Sequence, residues 1–127
     1  MRKCIYSWVV IENEYAIKQI DKSFYDYGET IIPIKIRKFF DIQSNSCGDE
    51  VDISISFKNS EYDSKIRFEN NFNRSKLTLG RNLQRIIIDT IKEAGYENNY
   101  NNNQISAKFT KVKKNKYELS LSIDISI

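Results

Sequence analysis

Histidine is absent from all 127 residues. That gap excludes Ser-His and Cys-His nucleophile pairs, histidine-ligated zinc and a histidine general base. Any catalyst would have to use carboxylates, lysine, tyrosine or cysteine. Cysteine is nearly as scarce. Cys4 and Cys47 stand far apart in no metal-ligand spacing, and Cys47, between Ser46 and Gly48, has no histidine to activate its thiol. The opening MRKCIYSWVVIENEY has no signal-peptide pattern, because its apolar run is short and is broken by Glu12 and Glu14. With only two separated cysteines, this leads us to expect a reducing, cytoplasmic setting. No apolar run approaches the roughly 20 residues that cross a bilayer, so no membrane association is expected. Four glycines in the whole chain leave no glycine-rich phosphate loop. A nuclease centre of the Asp…Glu-x-Lys kind fails at Ser56-Phe57-Lys58, where serine stands in place of the essential glutamate. Asp49 and Glu50 read as turn residues. The expectation is a non-catalytic protein with no cofactor and no metal.

What is present fits one small domain over residues 1–127: hydrophobic residues make up 40% and aromatic residues 13%, enough for a single core. The net charge of +3 is too small to establish a polyanionic partner, so the placement of charge carries the argument. Lysine, asparagine and isoleucine are abundant, as an AT-rich genome would produce, which weakens arguments from their totals.

Along the chain, Ile5 to Ile20 reads as one or two strands, with bulky β-formers at Trp8 to Ile11. The polar, aromatic KSFYDYGET, Lys22 to Thr30, reads as an exposed loop or hairpin tip, and Ile31 and Ile32 return to the core. Pro33 suits the first turn of a helix. Ile36, Phe39 and Phe40 then share one apolar face, with Lys35 and Lys38 off it and Arg37 beside it. After a loop at Gln43 to Cys47, Gly48-Asp49 turns into a strand over Glu50 to Phe57, alternating Val51, Ile53, Ile55 and Phe57. A strand within Glu61 to Glu69 comes next, then a polar loop Asn70 to Arg74 and a short strand Lys76 to Leu79. Leu83, Ile86, Ile87, Ile91 and Ala94 repeat at helical spacing before Gly95, a candidate C-cap, although the run Ile86 to Ile88 reads equally as a buried strand. NNYNNN, Asn98 to Asn103, reads as a loop. Ile105 to Val112 and Tyr117 to Ile127 form a closing hairpin with a basic tip at Lys113-Lys114-Asn115. The predicted class is α+β, mainly antiparallel, an open or pseudo-barrel plugged by two short helices.

IPIKIRKFF followed by GDEVDISI resembles the I-P-x-x-I-R and G-D-x-V-x-I grammar of AbrB-type swapped-hairpin transcription factors, which are usually shorter. In length and element order the chain more closely resembles another family over roughly Ile17 to Ile91. This is the DNA-binding pseudobarrel of plant B3-type transcription factors and of restriction recognition domains of the EcoRII amino-terminal and McrB types. That resemblance implies two arms gripping the major groove of double-stranded DNA. Lys22, Ser23, Tyr25 and Tyr27 to Thr30 fall on the first arm, and Asn70, Asn71, Asn73, Arg74, Ser75 and Lys76 on the second. Arginine can bond guanine O6 and N7, asparagine adenine N6 and N7, and serine or lysine a phosphate. Asp21, Asp26 and Glu29 depart from the pattern by bringing negative charge towards DNA. Lys35, Arg37, Arg67 and Arg81 complete the candidate contacts, with a nuclease or ATPase expected on a partner or fused domain.

Two readings stay open for the remaining charge. Seven cations between Lys65 and Lys92 against Glu69 and Asp89, and five lysines from Lys108 to Lys116, could track phosphates or form solvated surface. Tyr25, Tyr27, Tyr96 and Tyr100 could stack on bases or cap the core edge. The rival to DNA recognition is a small protein-interaction module, such as a phage- or plasmid-encoded inhibitor of a host enzyme.

Overall fold

Strand-forming stretches dominate the chain, and in the computed structural model they pair into one continuous sheet. The structure describes residues 2–5, 8–11, 14–42, 48–69, 74–94 and 105–123. In chain order the elements are β1 (Arg2–Ile5), β2 (Trp8–Ile11), β3 (Tyr15–Gln19), α1 (Lys22–Tyr27), β4 (Glu29–Ile32) and a 3-10 helix (Ile34–Phe40). They continue with β5 (Glu50–Phe57), β6 (Ser60–Phe68), β7 (Ser75–Thr78), α2 (Arg81–Glu93), β8 (Ile105–Lys113) and β9 (Lys116–Ile123). The strands run β1-β2-β3-β8-β9-β5-β6-β7-β4 across the sheet. Among the described residues, only β5 and β9 pair in parallel. This is the expected mixed α+β class, an open, curled half-barrel. The curl brings its far ends near each other: the indole N–H of Trp8 on β2 donates to the carbonyl of Ile31 on the edge strand β4 at 3.0 Å. Among the described residues no helix is long and apolar enough to cross a membrane.

Period-two alternation fixes which faces are buried. In β5, Ile53, Ile55 and Phe57 point into the core while Glu50 and Asp52 are exposed. The β5–β6 hairpin closes through Lys58 and Asn59, both at positive φ, as a two-residue primed turn demands. The 3-10 helix plugs the curled sheet with Ile36, Phe39 and Phe40, all buried. The Phe40 ring lies 5.7 Å from Trp8, 5.0 Å from Phe39, 5.3 Å from Tyr117 and 6.2 Å from Phe109. These offset and edge-on contacts are the arrangements aromatic quadrupoles favour.

Ile5 to Ile20 holds two strands, β2 and β3, within the expected one or two, and a further strand, β1, precedes them. Several expectations need correction. Lys22 to Thr30 is not a loop but helix α1 followed by β4. Asp21 caps the helix by accepting from the Phe24 N–H at 3.0 Å, and Gly28 ends it at φ 65. Phe24 and Tyr25 become buried by it. Among the described residues there are therefore three helices instead of two. Ile31 projects outward, 38% exposed, while Ile32 is buried. Pro33 precedes the 3-10 helix as its cap instead of entering its first turn. Ala94 caps α2 and is exposed, so it lies off the apolar face. The expected loop at Gln43 to Cys47, the Gly95 cap and NNYNNN lie outside the described residues.

Beneath the plug, the buried Tyr117 hydroxyl donates to the Phe39 carbonyl at 3.3 Å. Burial, with the nearby Asp41 charge, pushes its pKa well above the value near 10 of a free tyrosine. A raised folded-state pKa contributes stability that is complete below the unfolded pKa. That stability is lost as pH rises from about 10 towards the folded value, by at most about 1.4 kcal/mol per pH unit for one proton. Urea titrations above pH 10 should show the wild-type protein losing stability more steeply than Tyr117→Phe. Parallel curves would contradict this.

Candidate nucleic-acid interface

β4 lies antiparallel to β7, with Ile31 opposite Lys76 and Glu29 opposite Thr78. This register places α1, which feeds into β4 at Glu29, at the Thr78 end of β7, one strand length from the base of the segment from Glu69 to Arg74 at the Ile32–Ser75 end. That base is closed twice. The Glu69 N–H donates to the Arg74 carbonyl at 3.0 Å, and the Arg74 guanidinium donates to the Glu69 carboxylate at 3.1 Å. Between the two walls lies a cleft of about 230 Å³ lined by Ser23, Tyr27, Glu29, Thr30, Ile31, Arg74 and Lys76. Tyr27 is its most exposed apolar surface, at 64%.

The first wall is held from behind. The Gln84 side-chain amide on α2 donates to the carbonyls of Tyr25 at 3.1 Å and Asp26 at 2.7 Å, satisfying the C-terminal end of α1. Gly28 is required there, because its φ is 65 and a Cβ would stand 3.2 Å from the Gln84 side chain. Gln84 is a positioning residue that sequence reasoning missed. Nothing local marks it, since its partners are far away in the chain.

Electrostatically, the cleft's cations are already engaged. Lys76 lies 3.1 Å from Glu29 and 3.4 Å from Glu69. Arg74, then Lys76, holds the Glu69 carboxyl below the usual carboxylate range, and Glu29, then Glu69, raises the Lys76 pKa. The same pattern continues on the outer face of the sheet, where Ile31, Lys76, Arg67 and Glu50 form one cross-strand row. Glu50 takes Lys65 at 2.9 Å and Arg67 at 3.0 Å. Each of these cations is paired with a carboxylate, as on a solvated sheet face.

The expected contact residues separate accordingly. Ser23, Arg74 and Lys76 converge on the cleft, together with Tyr27 to Thr30 apart from Gly28. Lys22 is exposed at the start of α1. Lys35 is exposed on the 3-10 helix, and Arg67 is paired on the outer sheet face. Arg81 lines a separate hollow on α2 with Gln84, Arg85, Ile88 and Asp89. Asn70, Asn71 and Asn73 lie outside the described residues. Three residues need a different role from the expected DNA contact. Tyr25, Arg37 and Ser75 are 5%, 6% and 0% exposed. Arg37 donates to the Ser75 hydroxyl at 3.3 Å and sits 5.1 Å from the Phe68 ring centroid, while Ser75 donates to the Ile32 carbonyl at 3.1 Å. This buried network ties the 3-10 helix to β4 and β7. Arg37→Met should therefore cost about 1–3 kcal/mol of stability, by leaving a buried hydroxyl short of a partner. It should leave duplex affinity within about twofold, as a substitution remote from the contact surface does. Chemical denaturation beside a binding titration would check both.

The basic hairpin tip is also largely engaged by the protein. Lys108 lies over the Tyr15 ring at 4.3 Å, Lys111 meets Asp41 at 3.0 Å and Lys116 meets Glu61 at 2.8 Å. Lys113 and Lys114 stay exposed at the turn. Among the described residues, no group of three or more acidic or cysteine side chains is placed to hold a metal ion.

No protein-family model and no curated protein matches the sequence. Among solved structures, the fold is similar to the N-terminal domain of Helicobacter pylori LlaJI.R1. The TM-score is 0.51 at 22% identity, over 87% of this chain and 88% of that one. A hypothetical Arabidopsis thaliana protein aligns with TM-score 0.48 at 9% identity, over 93% of this chain and all of the other. The likeness to the LlaJI.R1 domain, spanning most of both chains, is one of fold.

Proposed function

We propose that this chain recognises double-stranded DNA as a non-catalytic module of a cytoplasmic, restriction-type defence system, with a nuclease or ATPase on a partner or fused domain. The observation that carries the reading is the cleft, where α1 and the base of the 69–74 segment, at opposite ends of the β4–β7 pair, present Tyr27, Arg74 and Lys76 together. Arg74 and Lys76 supply donors suited to guanine or phosphate, and Glu29 supplies an acceptor suited to the cytosine amino group. Lys22, Lys35 and Arg81, exposed on their helices, are the proposed phosphate contacts. The IPIKIRKFF–GDEVDISI grammar and the shared fold with the LlaJI.R1 domain support the same reading.

Fluorescence anisotropy with mixed-sequence duplexes across a salt series tests it. The expected result is binding at low ionic strength that weakens linearly in log–log form, with a slope near −0.9 per phosphate contact. No binding to any duplex at low salt would refute the reading.

A further inference from the structure

Arg74 and Lys76 are the two cations lining the cleft, and both already hold carboxylates there. Glu69 binds each of them, at 3.1 and 3.4 Å, and Glu29 binds Lys76 at 3.1 Å. We propose that Glu69, assisted by Glu29, is a charge gate that makes this cleft selective, keeping both cations occupied until a matching duplex displaces the carboxylates or engages them. This rests on the reading of the cleft as a duplex-DNA site.

Binding at such a cleft is an exchange. A phosphate approaching Arg74 replaces a carboxylate that already accepts the guanidinium's hydrogen bond, so one charge-assisted bond is traded for another. The displaced carboxylate then faces the DNA backbone, and like-charge juxtaposition is costly. Purely electrostatic contact with arbitrary DNA therefore gains little. A base pair offering both acceptors and an amino donor behaves differently, because the cation and the carboxylate can each find a partner on it. A carboxylate holding cations outside the cleft should exert no such control. Glu50, which engages Lys65 and Arg67 on the exposed sheet face, supplies that comparison.

The experiment uses Glu69→Gln, which keeps the side chain's shape and hydrogen-bonding ability, beside Glu50→Gln, which adds the same unit of positive charge elsewhere. Mixed-sequence duplex is titrated by anisotropy at several salt concentrations. Glu69→Gln is expected to bind about tenfold tighter than wild type, the effect of removing one close like charge. Its salt slope should steepen by roughly one phosphate contact, about 0.9. Glu29→Gln, which releases Lys76 alone, should give about a threefold gain, since only one cation is freed. Glu50→Gln should stay within about twofold, as exposed pairs contribute little. The gate is overturned if wild type binds and Glu69→Gln and Glu29→Gln merely match it, or if Glu50→Gln gains equally, which would reduce the effect to bulk charge. If wild type and all variants fail to bind duplex at low salt, the DNA reading itself falls and the gate falls with it.

Discussion

Replacing Arg74 and Lys76 together with alanine is expected to weaken duplex binding by about a hundredfold, more than any other pair on the described surface. Each residue offers contacts of about 1–3 kcal/mol to a base edge, and each 1.4 kcal/mol is a factor of ten. The substitutions also leave Glu69 and Glu29 without the cations that now neutralise them, so the cleft turns from balanced to acidic and repels the backbone. Because the two cations share Glu69, the double variant should not equal the sum of the singles. A matched pair on the hairpin turn, Lys113→Ala with Lys114→Ala, removes the same charge from exposed positions. It should cost less than about fivefold, through the loss of nonspecific attraction alone. Anisotropy titrations of both double variants, with thermal melts to verify folding, make the comparison. Equal losses would assign DNA binding to overall charge rather than to the cleft.

The second large effect is on stability. Phe40→Ala should destabilise the fold by about 3–5 kcal/mol, the usual cost of truncating a fully buried phenylalanine. Phe40 is 0% exposed and its ring meets those of Trp8, Phe39, Phe109 and Tyr117. Those rings come from β2, the 3-10 helix, β8 and β9, so one truncation leaves a cavity where the plug meets strands distant in sequence. For a chain of this length the loss corresponds to a fall in Tm of roughly 10–20 °C. Ile34→Ala, on the same helix but 59% exposed, should stay within about 0.5 kcal/mol. Urea denaturation of the two variants measures the difference, and a small effect at Phe40 would mean the plug is not the centre of the core.

Sequence patterns reveal those parts of this molecule whose determinants are local. β5 is legible because one face is buried and the other is not, so Val51 to Phe57 alternate. Phe39 and Phe40 can be read as a core face because their spacing from Ile36 fits a helical turn. Helix α1 is harder to see, since KSFYDY is polar and aromatic at once. Its only signals are Asp21 before it and Gly28 after it, and Gly28 reads equally well as a loop glycine. The cleft's character is not legible at all. Lys76 meets Glu29 only because β4 docks on β7, and Gln84 meets α1 only because α2 packs behind it. Arg37 illustrates the general difficulty. Its spacing puts it beside the apolar face, and nothing in the letters tells whether its guanidinium reaches solvent or, as here, Ser75 and the Phe68 ring.

A duplex seated between α1 and the base of the 69–74 segment is the contact on which DNA recognition here depends. An amide chemical-shift titration of labelled protein with duplex DNA at low salt addresses it directly. The predicted result is saturable, salt-sensitive perturbation concentrated at Lys22 to Ile31 and Glu69 to Thr78, with the β8–β9 turn little affected. Perturbation centred on Lys113 and Lys114, or none at saturating DNA, would contradict it.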